Sequence, residues 1–149
     1  MQQTEFEKGL LAMAAWRLAR SSDVNELLAI LCTLRNWVTN RGLMHTGLYH
    51  FKTYTEVVEN FLAIYPVRSL PMINEPALID PREGLLAVVD GVYDNTRADI
   101  TSSHANPSGA RYFGVASEVG TGSWFDEEVL KQPHIHKLIG KFGSQQFYE

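Results

Sequence analysis

The chain has 149 residues, 45% of them apolar and 11% aromatic, which suits one domain with a real core and excludes a disordered chain. Its net charge of −4 is spread with both signs interspersed, without a basic run or basic-aromatic stripe, so nucleic acid and anionic membrane are set aside as partners. The single cysteine, Cys32, cannot close an internal disulfide and sits in an apolar helical pattern as a small core residue.

The opening stretch MQQTEFEKGLL lacks the cationic-then-apolar plan of a signal peptide. No apolar run is long enough to span a bilayer, so no membrane insertion is expected. Synthesis in the cytoplasm without a signal peptide follows as an expectation. An external target would then be reached by lysis or within a particle.

Residues 5–20 place Phe6, Leu10, Leu11, Met13, Ala14 and Leu18 at helical spacing. Arg17 and Arg20 suit the negative C-terminal end of that helix. Asp23 followed by Glu26 resembles a capping box, and a second helix runs to about Asn40, where Gly42 stops it. Its predicted apolar face is Val24, Leu27, Leu28, Leu31, Leu34 and Val38. A third helix over about 54–64 is introduced by Thr53 with Glu56 three residues on, and Pro66 ends it. The fourth has Asp80 as N-cap, Pro81 at the first helical position and Glu83 closing the box, and reaches about Tyr93.

After residue 94 the chain turns polar and turn-forming. ARYFGVAS reads as a short strand, and WFDEEVL as one helical turn. HKLIGKFG and QQFYE pair as two strands around Gly143 and Ser144. The outline is α+β: a helical first two-thirds and a small C-terminal antiparallel sheet, in one domain over residues 1–149.

His134 and His136 invite a metal reading, since residues i and i+2 of a strand share a face. A third ligand is required, and His104, Asp126, Glu127 and Glu128 supply only candidates, without a recognised ligand spacing. The favoured reading is two loop histidines with no metal and no cofactor. The glycines from Gly114 to Gly122 lack the strand-turn-helix frame of a nucleotide loop, and no serine sits in a nucleophile motif. Asp126, Glu127 and Glu128 suit a helix start, where acids belong. The alternative is sugar binding, with Tyr112, Phe113 and Trp124 stacking on pyranose rings. Core and groove readings of these aromatics both stay open.

Taken in order, the segments resemble the SleB-type cell wall hydrolases, the muralytic domain of spore-cortex-lytic enzymes that also occurs in phages. LLAMAAWRLARSS is similar to the family's first helix, which ends in Glu-Ala-Arg, and ELLAILCTLRNWV to the apolar helix that follows. EGLLAVVDGVYDNT, NPSGARYF, Trp124 and IGKFGSQQFY are similar to the remaining segments in the family's order. The resemblance implies a lysozyme-related α+β fold and cleavage of peptidoglycan glycan strands by lytic transglycosylation. That chemistry uses one protonated carboxyl and no metal. It further implies a glycan groove at Asn106, Tyr112, Phe113 and Trp124.

The alignment departs from the family at the decisive position. Leu18 stands where the catalytic glutamate belongs, with Ala19 and Arg20 matching the Ala-Arg after it. Gly114 and Val115 replace an Asn-Pro, and Lys141 and Phe142 replace the closing Asn-His. The expectation is a divergent domain of phage or prophage origin with reduced or lost cleavage. Its partners would be a peptidoglycan glycan strand or phage structural proteins. An active enzyme using Glu26 or Asp23 as acid is the alternative, and an unrelated cytoplasmic interaction domain stands outside the family reading.

Overall fold

The computed structural model describes residues 3–20, 23–39, 53–65, 79–104, 109–114 and 138–148. Four helices come first: α1 (Gln3–Leu18), α2 (Val24–Thr39), α3 (Tyr54–Ile64) and α4 (Ile79–Tyr93). Three strands follow, β1 (Tyr112–Gly114), β2 (Leu138–Phe142) and β3 (Gln145–Tyr148), giving the expected α+β order.

The organising element is α2, which packs against α1, α3, α4 and β2. Every residue from 26 to 37 is buried, so Ala29, Ile30 and Cys32 lie in the core beside the predicted leucines. The expected face is buried at Leu27, Leu28, Leu31 and Leu34, and burial extends around the other sides as well, as for a helix in the middle of a core. Val24, assigned to that face, is 45% exposed because it opens the helix at its outer end. On α1 the buried face is Leu11, Ala14, Ala15 and Leu18, while Phe6 near the free end is exposed.

The caps follow local chemistry. Thr53, in extended backbone, accepts the Glu56 N–H at 3.2 Å and starts α3 as expected. Tyr65 ends it in an extended conformation, the one favoured for a residue preceding proline. At the start of α2 the expected box does not close. Asp23 accepts from Asn25 N–H at 2.8 Å, while the Glu26 carboxylate accepts from Arg20 N–H instead. Helix α4 begins at Ile79, one residue ahead of the Asp80 cap position. It ends where Asn95 adopts φ 60°, with Thr96 and Arg97 N–H groups both donating to Gly91 O. The buried Arg35 guanidinium closes that end by donating to Val92 O at 3.2 Å and Arg97 O at 2.9 Å.

The sheet is antiparallel in the order β1-β3-β2. Gly143, at φ 61°, and Ser144 form the turn between β2 and β3, as expected. Pairing places Phe113 opposite Phe147 on the inner face, with ring centroids 5.4 Å apart. Phe113 also stacks on Tyr65 of the α3 end at 4.6 Å, and this aromatic column joins sheet to helices. In β2, Leu138 pairs with Tyr148 and Gly140 with Phe147, so Ile139 is an extra residue and the strand bulges there.

Candidate functional site

The position that the resemblance gives to a catalytic acid lies at the C-terminal end of α1. Leu18 is 1% exposed and belongs to the apolar core cluster. Its carbonyl accepts from Gln145 Nε2 of β3 at 3.0 Å, which brings the hairpin directly against this helix end.

Beside it lies Glu26, the expected substitute acid, in the first turn of α2. Its side chain is fully buried. The carboxylate accepts from Arg20 N–H, from Ser144 N–H at 2.8 Å, from Ser144 Oγ at 2.7 Å and from Gln145 Nε2 at 3.1 Å. Burial alone pushes its pKa up, but the donors from Arg20, Ser144 and Gln145 outweigh that and hold it below the ordinary glutamate value. A general acid needs the reverse, a carboxyl that keeps its proton and reaches a substrate oxygen. The Glu26 carboxylate is biased the other way and is engaged by donors from both sides of the junction. Asp23 lies in the open, and its carboxylate caps α2 through Asn25.

The two tyrosine and phenylalanine candidates part company on the sheet. Phe113 is buried between Tyr65, Phe61 and Phe147, so the core reading holds for it and the groove reading is withdrawn. Tyr112 is half-buried on the opposite face, edge-on to Trp37 with centroids 6.0 Å apart. Its cross-strand neighbour is Tyr148, whose hydroxyl donates to Gln146 Oε1 at 3.1 Å. Tyr112, Gln146 and Tyr148 thus share one face of the sheet, a half-exposed aromatic and amide surface.

Asn106, Trp124, His134, His136 and the acids Asp126, Glu127 and Glu128 lie outside the described residues. Among the described residues no group of three or more His, Cys, Asp and Glu side chains is placed to hold a metal.

A second buried polar centre went unread in the sequence. Asn36 Nδ2 donates to Asp99 Oδ2 at 2.8 Å and to Ala110 O at 3.0 Å. Thr101 donates to Asp99 Oδ1 through both N–H and Oγ, and its Oγ accepts from Ala110 N–H at 2.8 Å. Trp37 Nε1 donates to Arg111 O at 2.8 Å one helix position further on. These bonds tie the segment between α4 and β1 to the C-terminal half of α2 and set the register of β1. The available signal was a run of Thr33, Arg35 and Asn36 inside an otherwise apolar helix. Polar groups at such positions need buried partners.

Helices gathered around α2, a hairpin seated on the α1–α2 connection and a polar knot at the other end of α2 define a scaffold of the α+β class. No family model matches the chain, and neither a curated protein nor a solved structure matches it.

Proposed function

We propose that the chain is a divergent SleB-like domain of phage or prophage origin that does not cleave peptidoglycan and acts as a glycan-binding or particle-building module. The observation that carries this reading is Leu18, an apolar core side chain at the position of the family's acid. Glu26, which shares the Gln145 amide with the Leu18 carbonyl, is buried with its pKa held down by its donors, which speaks against it as a replacement acid. The half-exposed face of Tyr112, Gln146 and Tyr148 supports a binding role, since flat rings beside an amide suit a sugar.

Zymography on purified peptidoglycan tests the first part: the wild-type protein is expected to leave the gel uncleared. Clearing by the wild type that Asp23→Asn abolishes overturns it in favour of an active enzyme. Sedimentation with insoluble peptidoglycan tests the second part. Binding lost in Tyr112→Ala identifies the glycan as the partner, and absence of binding assigns the module to a protein partner in the particle.

A further inference from the structure

The donors around Glu26 come from two places far apart in the chain. Arg20 precedes α2, whereas Ser144 and Gln145 lie more than a hundred residues later, at the tip of the β2–β3 hairpin and the start of β3. We propose that the Glu26 carboxylate is a latch on this hairpin. Ionised, it clasps the hairpin tip to the α1–α2 connection; neutral, it lets the hairpin open locally ahead of the helices.

The geometry favours an anion. A carboxylate is an acceptor only, with about four lone-pair directions on two oxygens. Four donor contacts converge on those oxygens, two from backbone N–H groups, one from a hydroxyl and one from an amide. A proton on either oxygen, or an amide in place of the carboxylate, faces three N–H donors that cannot accept; only the Ser144 hydroxyl can reverse its role, and the charge assistance of the contacts is lost. The tip cannot shift sideways to recover it. Gly143 already abuts the same side chain, since a Cβ there would lie 2.5 Å from Glu26 Oε1 and 2.6 Å from Glu26 Cβ.

Among the described residues, the charged groups at this junction come from two places. From the α1–α2 connection come Arg20, whose guanidinium donates to Ala19 O at 3.4 Å, and Asp23, whose Cβ faces Gly143. From the hairpin come Gly143, Ser144 and Gln145, none of which ionises, with Lys141 exposed further along β2. The group that titrates in this proposal is Glu26, on which the four donors converge. Because its folded pKa lies below the ordinary value of 4.5, the latch is fully closed above that pH and opens as pH falls through the folded value.

Amide hydrogen exchange on the full chain, corrected for intrinsic rates, reads the latch directly. In Glu26→Gln at near-neutral pH, exchange across residues 140–148 is expected to rise at least about tenfold, the scale set by losing a charge-assisted hydrogen bond. Amides of Ile30, Val57 and Val89 in the helices are expected to change by less than about twofold, because local opening leaves them protected. Wild type titrated downward from pH 4.5 should acquire the same hairpin exchange, while Glu26→Gln shows no further step. Three results overturn the proposal: an unchanged hairpin, a rise shared equally by helices and hairpin, or the same acid step in Glu26→Gln. Should Glu26→Gln not fold, Ser144→Ala removes one hydroxyl donor and keeps the rest. Its exchange must then rise in the hairpin alone; a uniform rise or none rejects the latch.

Discussion

Gly109 sets the tightest steric limit among the described glycines. At Gly109, with φ +73°, a Cβ would lie 2.2 Å from Asp99 Oδ2, 2.7 Å from Asn36 Nδ2 and 3.0 Å from Thr101 Oγ1. All three neighbours are buried members of one hydrogen-bonded knot, so none can swing away to solvent. Gly109→Ala is expected to cost about 2–4 kcal/mol, combining left-handed backbone strain with overpacking. Urea unfolding measures this, and a loss below about 0.5 kcal/mol would show that the knot yields. Leu18→Glu belongs to the same scale. A carboxyl there enters an apolar cluster and lies near the ionised Glu26, so it is expected to destabilise by about 3 kcal/mol or more without producing peptidoglycan clearing. A folded variant that clears the gel would place side chain 18 in contact with substrate. The core position of Leu18 was legible in the sequence, because it falls on the apolar spacing of the first helix. The role of Glu26 was not, since its partners Ser144 and Gln145 stand at a separation no periodicity reports.

At the scale of elements, start and stop signals carried most of the helix boundaries. Thr53 and Glu56 fix the beginning of α3 through one side-chain bond, and Thr53→Ala is expected to cost about 1 kcal/mol in the same unfolding assay. A cost near zero would mean that tertiary packing alone holds this end. The hairpin was legible too, since LIGKF and QQFY flank a glycine that accepts positive φ. The all-round burial of α2 was not. Its leucines fit one stripe well enough to suggest an amphipathic helix. Ala29, Ile30 and Cys32 on the other sides gained meaning only once α1, α3 and α4 surrounded them. The polar residues inside α2 escaped for a related reason. Asn36 finds Asp99 and Ala110 across a connection whose path the sequence does not specify.

For the molecule as a whole, the buried residues of all four helices and of the sheet join one cluster, with Leu31, Val57, Val89, Phe113 and Phe147 among them. Cys32 lies inside it and makes a convenient reporter of its opening. Burial pushes the thiol pKa up to about 11, with the nearby charge of Asp99 adding to the effect. The native protein is therefore expected to resist a thiol-reactive disulfide reagent at neutral pH and to react once denatured. Rapid labelling without denaturant would contradict a closed core. No helix among the described residues is long and apolar enough to cross a membrane, which agrees with the absence of such a run in the sequence. The candidate groove was only half legible, because period-two alternation separates Tyr112 from Phe113 but does not say which of them faces the helices.

The bulge at Ile139 has a consequence beyond the geometry of one strand. Strand β2 lies at the outside of the described sheet, and Leu138 on it is 54% exposed, a combination that invites a second chain to add itself in register. The extra residue breaks the regular spacing of the strand's hydrogen-bonding groups, and exposed Lys141 sets a charge beside the break. An incoming strand can match the ladder on one side of that interruption but not across it, and two copies bring like charges together. The irregularity thus works against edge-to-edge pairing at this border of the described sheet.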